Sequence, residues 1–405
     1  MSERKYPISD GAKYILEALT LAGYEAYTVG GAVRDILLGK EPYDYDITTS
    51  ATPERVKEIF SHLKTVDTGI KHGTVTVLYG GASYEVTTYR TESGYADNRH
   101  PDSVSFTSSL DDDLSRRDFT VNAMCIGKDG ELYDIYGGQS DLEKGIIRTV
   151  GEAERRFSED ALRILRALRF SSKLDFEIEE KTSLALYECG DLLFDISGER
   201  IYAEIQKLLM GEGAVRVLTD YSEIILKALP SLSEIKIICP EAFKQIPPRE
   251  KLIALYILGA DGDYTLAIEK LFSVLHTDLA LKKCALAVGG LLKMPMQTNR
   301  DLLKMLASAD GEYVASALMV AYALGIRKTA GTRELEAILT MGIPTKTREL
   351  KINGNDLIAH GFKGENIGKM LSHILALVID GELDNDREAL LKHIEMQTNI
   401  DKNEV

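Results

Sequence analysis

Short runs of β-branched and aromatic residues, punctuated by glycine, fill the first ~140 residues. Ala26-Tyr27-Thr28-Val29, Tyr45-Asp46-Ile47, Val75-Thr76-Val77-Leu78 and Tyr84-Glu85-Val86-Thr87-Thr88 read as strands. Gly80-Gly81 between the last two is hairpin chemistry, because glycine accepts the positive φ of a tight turn. Apolar spacing of helical period predicts helices over 12–21 and 53–63, the second introduced by Thr52 and Pro53. From about residue 155 helical patterns dominate and strand patterns nearly vanish. Breaks are expected at Gly211-Glu212-Gly213, from Pro240 through Pro247-Pro248, around Gly331 and at Gly342-Ile343-Pro344. The expected fold class is α+β: a compact mixed head followed by an all-helical remainder.

The densest chemistry lies in Gly30-Gly31-Ala32-Val33-Arg34-Asp35 and the following Tyr43-Asp44-Tyr45-Asp46-Ile47-Thr48. A strand running through Gly-Gly into a helix brings backbone N–H groups near a helix start, where a phosphate could approach Gly31 and Arg34. A plain tight turn is the alternative, and the segment is neither a Walker loop nor a dinucleotide fingerprint. Asp44 and Asp46, two residues apart on a strand, would share one face roughly 6–7 Å apart. Their mutual repulsion calls for a cation, and a hard oxygen-seeking ion such as Mg2+ suits them; an exposed turn is again the alternative. Glu85 on a later strand could be a third carboxylate or a solvent-facing residue.

In Ser115-Arg116-Arg117-Asp118-Phe119-Thr120-Val121-Asn122-Ala123-Met124, Arg117 is the better candidate for a triphosphate or sugar contact. Arg116 stands beside it, and Asp118 and Asn122 could brace the loop; a salt-bridged surface with Asp111–Asp113 is the other reading. The run Glu159-Asp160-Ala161-Leu162-Arg163-Ile164-Leu165-Arg166-Ala167-Leu168-Arg169-Phe170 reads as one amphipathic helix. Ala161, Ile164, Leu165 and Leu168 share an arc about 100° wide, while Asp160, Arg163, Arg166 and Arg169 step round the other side at about 60° intervals. Taken alone, that polar strip is a solvated face.

Composition narrows the class. Hydrophobic residues make up 44% and charged residues 27% of the 405, values of a folded, soluble protein. The first ten residues are polar and no apolar run approaches the ~18 residues of a membrane span, so a cytoplasmic protein without a membrane partner is expected. The four cysteines form no CxxC pair and the seven histidines no HExxH pattern, which argues against a zinc or redox site. A net charge of −15 opposes a nucleic-acid partner at first sight. Over 155–173, however, six basic side chains stand against two acidic ones, so a local stripe survives the global sum.

These motifs carry a resemblance. Gly30–Asp35, Asp44 with Asp46, the Ser115–Met124 stretch, the run from Tyr136-Gly137-Gly138 to Ile147-Arg148-Thr149-Val150-Gly151, the Glu159–Phe170 stretch, and Glu199-Arg200-Ile201 with Glu204 fall in a familiar order. It is that of class II tRNA nucleotidyltransferases, the bacterial CCA-adding and poly(A) polymerase group of the polymerase-β superfamily. The match is close over residues 25–210, and the far end, from Ile352-Asn353-Gly354 through Arg387-Glu388, resembles the tail of shorter bacterial CCA-adding enzymes; residues 215–330 carry no motif.

The resemblance implies a polymerase-β-like catalytic head over 1–145, a helical neck over 146–212 bearing a base-reading helix, a helical body over 213–330 and a tRNA-binding helical tail over 331–405. It implies that Asp44 and Asp46 hold Mg2+. Gly31, Arg34 and Arg117 would hold the nucleotide, and Asp160, Arg163, Arg166 and Arg169 would read the base and face the triphosphate. Residues 91–99 correspond to a mobile loop needed for the final adenosine. The expected function is addition of C, C and A to tRNA from CTP and ATP; the sequence leaves a homodimer open. Poly(A) synthesis is the nearest rival, disfavoured by the acidic end Asp401-Lys402-Asn403-Glu404-Val405. A catalytically silent RNA-binding protein is the rival from another class, disfavoured by the intact Asp44/Asp46 pair.

Overall fold

The computed structural model describes residues 5–93, 103–259 and 264–403. Residues 94–99, most of the segment expected to be a mobile loop, lie outside the described residues. The chain divides into two compact units, Met1–Pro230 and Ser231–Val405.

The first unit opens with α1 (Asp10–Leu21), β1 (Ala26–Val29), α2 (Gly31–Leu37), β2 (Tyr45–Thr49), α3 (Pro53–Ile59), β3 (Lys64–Gly69), β4 (Thr74–Tyr79) and β5 (Ala82–Thr88). Then come β6 (Arg90–Ser93), β7 (Ser103–Phe106), α4 (Leu110–Ser115), β8 (Cys125–Ile126) and β9 (Leu132–Tyr133). Among the described residues seven of these strands form one mixed sheet in the order β3-β4-β5-β2-β1-β8-β9. The pair β2–β5 is parallel and β1–β2 antiparallel.

Local chemistry explains the elements. Ser9 caps α1 by accepting the Ala12 N–H at 3.2 Å. Ala12, Ile15, Leu16 and Leu19 recur at helical spacing and are wholly buried. They pack with Val75, Val77 and Val86 of the sheet, and each such buried aliphatic side chain contributes about 1.5–3 kcal/mol. Gly80 and Gly81 join β4 to β5 with φ of 60° and 82°, the positive values a two-residue hairpin requires. The second predicted helix stops at Ile59, with Phe60 as its C-cap, four residues short of the expected end.

Beyond the sheet follow α5 (Gly138–Lys144), β10 (Ile146–Ile147), α6 (Ala153–Glu159), α7 (Leu162–Leu174) and β11 (Glu177–Ile178). After these come α8 (Glu180–Glu188), α9 (Gly198–Leu209), α10 (Ala214–Asp220) and α11 (Ser222–Ala228). The single helix expected over 159–170 is two helices. Asp160 is extended, with φ −143° and ψ 103°, and its side chain accepts the Leu162 N–H at 3.1 Å. That Asx-type bond competes with helix continuation and breaks the run at Asp160. The second unit is built from helices, from α12 (Pro240–Gln245) to α21 (Arg387–Asn403).

Candidate active site

The end of β1, the start of α2 and the start of β2 meet at one mouth. In the sheet register Asp46 lies opposite Val29 of β1 on one side and Glu85 of β5 on the other. Asp44 stands one residue ahead of β2 rather than on it, and both aspartates reach solvent. Gly30 turns the chain with φ 75° and ψ −129°, a conformation glycine alone adopts cheaply. A Cβ there would stand 3.4 Å from Arg117 Nη1 and 3.8 Å from Asp46 Oδ2. A carboxylate, a guanidinium and an open backbone thus face the same small space. Gly31, the expected contact, follows as the first residue of α2, and a Cβ on it would meet Arg34 Nη2 at 3.5 Å.

Electrostatics mark Asp46 as the strained member. Loss of water, then the charges of Asp44 and Glu85, push its carboxyl up to about 6, with Arg117 opposing. A cation would relieve that repulsion. Among the described residues no three carboxylate, imidazole or thiol side chains converge on one point. Mg2+ takes one or two carboxylates plus substrate phosphates and water rather than an all-protein cage. Two aspartates and the hard oxygen donors they offer fit such an ion.

The arginines of the site are held from behind. Arg34 is 4% exposed; its Nη1 donates to Asn122 Oδ1 at 2.8 Å and its Nε and Nη2 to Asp35 Oδ1 at 3.1 and 2.9 Å. Asn122 Nδ2 donates to Asp118 Oδ1 at 3.2 Å, and Arg166 Nε to Asp118 Oδ2 at 2.9 Å. Asp118 and Asn122 therefore do brace this region, by linking Arg34 to Arg166. Arg34, Arg166 and Arg169 all pack on the Phe170 ring, at 5.5, 5.6 and 4.1 Å from its centroid.

The polar strip is not a solvated face. Arg163 is 9% exposed; its Nη1 donates to Glu159 Oε2 at 2.8 Å and to the Arg156 carbonyl at 3.0 Å, and its Nη2 to the Arg116 carbonyl at 3.1 Å. Asp160 accepts from Arg200 Nη2 at 3.2 Å, and Arg169 Nε lies 2.6 Å from Glu204 Oε2. Every acid and base of the strip has an opposite partner on a neighbouring element, which buried charge requires. Sequence reading assigned no role to Glu159 or to the Arg200 and Glu204 of α9.

Asp113, read from sequence only as part of a salt-bridged surface, does pair with Arg116 and Arg117 but is fully buried. Acidic triplets usually lie in water, yet Leu110, Asp113 and Leu114 share the buried face of α4. That spacing was the available signal.

Asp118 gives a pH prediction. Burial alone would raise its carboxyl, but the Arg166 charge, hydrogen bonds from Arg166 and Asn122, and the Arg163 charge hold it at about 2. A folded pKa below the unfolded ~3.9 stabilises the fold above pH ~4, and the gain is lost as pH falls through about 2. Asp118→Asn should remove about 2 kcal/mol of this acid dependence in denaturant titrations run between pH ~5 and ~2. An acid limb identical to that of the parent protein would refute the assignment.

The Poly A polymerase head domain model matches residues 26–148. A probable RNA and SrmB-binding site of polymerase A matches 175–232, and a putative tRNA nucleotidyltransferase domain 2 matches 287–394. Head fold and matched models together define a nucleotidyltransferase. The chain is 40% identical over 395 residues to the CCA-adding enzyme of Lactobacillus helveticus (strain DPC 4571), covering 94% of this chain and 95% of that one. Its structure resembles the Bacillus stearothermophilus CCA-adding enzyme in complex with CTP, with TM-score 0.78, 33% identity and coverage of 97% and 98% of the two chains. It also resembles the Thermotoga maritima CCA-adding enzyme complexed with tRNA, with TM-score 0.69, 25% identity and 96% coverage of each. The protein belongs to the family of CCA-adding enzymes.

Proposed function

We propose that the protein adds C, C and A to the 3′ end of tRNA from CTP and ATP, without a nucleic-acid template and with release of pyrophosphate. The observation that carries the reading is the mouth where Asp46, Gly30 and Arg117 face one another. In the reaction the tRNA 3′-oxygen bonds to the α-phosphorus, the bond to the β-phosphate oxygen breaks, and the hydroxyl proton is lost to solvent. Asp44 and Asp46 hold the divalent cation, Mg2+ in this reading. When bound, it supplies charge neutralisation at the phosphates and a lower pKa for the attacking hydroxyl.

The chain's own residues bind and orient. Gly30 and Gly31 let the triphosphate approach the backbone, and Arg117 offers it Nη1. Arg34 holds positive charge beneath the same turn, with Arg166 and Arg169 beside it on Phe170. Asp160 and Arg163 read the base. Glu85, paired with Asp46 across the sheet, adds negative charge that favours cation binding. The four-part division into head, neck, body and tail, and a cytoplasmic location beside tRNA and nucleoside triphosphates, complete the reading.

The test offers a tRNA transcript ending before CCA each labelled nucleotide singly, with Mg2+ or with a chelator. CTP should be incorporated only with the metal, and ATP only after two cytidines. Equal incorporation from UTP, or full activity in chelator, would overturn the reading.

Despite the −15 charge, tRNA binding should weaken about tenfold or more between roughly 50 and 200 mM salt. Because the neck arginines are internally paired, the exposed Arg348, Lys351 and Lys363 are the better phosphate contacts of the tail. Lys346, by contrast, donates to the Ala309 carbonyl at 3.0 Å. A Kd flat across that range, read by filter binding, would contradict this.

A further inference from the structure

We propose that Asp113 is a positioning residue for the nucleotide triphosphate, acting through Arg117. The proposal deepens the reading above and rests on its assignment of Arg117 to the triphosphate. Asp113 is wholly buried on α4 and its two oxygens are divided between tasks. Oδ1 accepts from Arg116 Nε at 3.1 Å and Nη2 at 2.7 Å, and from the Arg90 N–H at 3.3 Å. Oδ2 accepts from the Thr48 hydroxyl at 3.1 Å and from Arg117 Nη2 at 3.4 Å.

Two consequences follow from that division. First, Thr48 lies two residues beyond Asp46 on β2, so the two side chains share one face of the strand. By holding Thr48 and Arg117 with one oxygen, Asp113 sets Arg117 in register with the strand that bears Asp46. Second, Arg117 is tied by one end only. Its Nη2 meets Asp113, its Nη1 faces the Gly30 turn, and its Nε is buried without a hydrogen-bond partner.

Charge points the same way. One carboxylate faces two guanidinium groups, and Arg116 takes it with two bonds, at 3.1 and 2.7 Å, while Arg117 makes a single one at 3.4 Å. The positive charge of Arg117 is therefore only partly offset and remains available to an anion. Asp113 fixes where that charge sits without neutralising it, a supporting role of the kind that orients a binding group.

The experiment compares CTP with CMP, which share base and sugar and differ in the phosphates, on full-length protein. Asp113→Asn should weaken CTP binding about tenfold, the scale of one charge-assisted hydrogen bond, and leave CMP binding within twofold. KM for CTP should rise while KM for tRNA stays within twofold. Arg117→Ala should weaken CTP at least as much, and Asp113→Asn added to Arg117→Ala should cost nothing further. If Asp113→Asn does not fold, Asp113→Glu, which keeps the charge but shifts Arg117, should show the same CTP-selective loss.

Equal loss of CTP and CMP, unchanged CTP binding, or full additivity with Arg117→Ala would overturn the proposal while leaving Arg117 in its role. An Arg117→Ala protein that binds CTP as the parent does would instead remove the assignment of Arg117, and the proposal with it.

Discussion

Asp46→Ala will lower nucleotide incorporation by about three orders of magnitude while leaving the Kd for tRNA within about threefold. The carboxylate stands opposite Glu85 and beside the Gly30 turn, and loss of water, then the charges of Asp44 and Glu85, push it up to about 6. A group held at such electrostatic cost awaits a cation rather than stabilising the fold. Removing it should therefore not lower Tm and should relieve repulsion. Asp44→Ala should lower incorporation similarly, because the pair acts on one ion. Single-turnover incorporation alongside tRNA binding and thermal unfolding separates these effects. Near-parent turnover in either variant would remove the metal assignment.

Asp160→Ala will blur the choice of base, lowering discrimination against UTP and GTP by about ten- to hundredfold, and Arg163→Ala will impair CTP and ATP together. Donors and acceptors decide the choice. A carboxylate only accepts hydrogen bonds and a guanidinium only donates. Cytosine and adenine each set an amino donor beside a ring-nitrogen acceptor, and so match the pair. Uracil and guanine set a carbonyl beside an N–H and oppose it.

The structure shows that both side chains keep capacity for this. Arg163 spends three of its five N–H groups on Glu159, Arg156 and Arg116. Asp160 accepts from Arg200 Nη2 at both oxygens, 3.2 Å at Oδ1 and 3.4 Å at Oδ2, and Oδ1 also takes the Leu162 N–H. In the proposed role a base would compete with the longer Arg200 bond at Asp160 Oδ2 and use the N–H groups of Arg163 not spent on those partners. Measuring kcat/KM for all four nucleotides on matched tRNA ends decides it; unchanged selectivity in both variants would place base reading elsewhere.

How far the sequence could be read depended on whether a signal was local. The β4–β5 hairpin was legible because Gly80-Gly81 and the flanking alternation are both local. So was α1, whose apolar spacing and core contacts agree. Asp160 was placed inside a helix because the 3.6-residue period runs unbroken through it, and periodicity is blind to a side chain that captures a nearby N–H.

The arginine strip looked solvated because most of its neutralising partners are distant in sequence, Glu159 beside Arg163 excepted. Asp118 lies 48 residues from Arg166, and Arg200 lies 40 from Asp160. Asp113 was legible only in part: Arg116 and Arg117 stand three and four residues away, whereas Thr48 lies 65 residues off. A carboxylate in an acidic triplet looks exposed until Thr48 and two arginines close round it.

The most direct test of the account sequences the 3′ ends made by the purified protein on a tRNA transcript lacking CCA, with CTP and ATP both present. Ends that read CCA and stop there are the expected product. Long adenosine tails, or mixed ends without a defined stop, would contradict it.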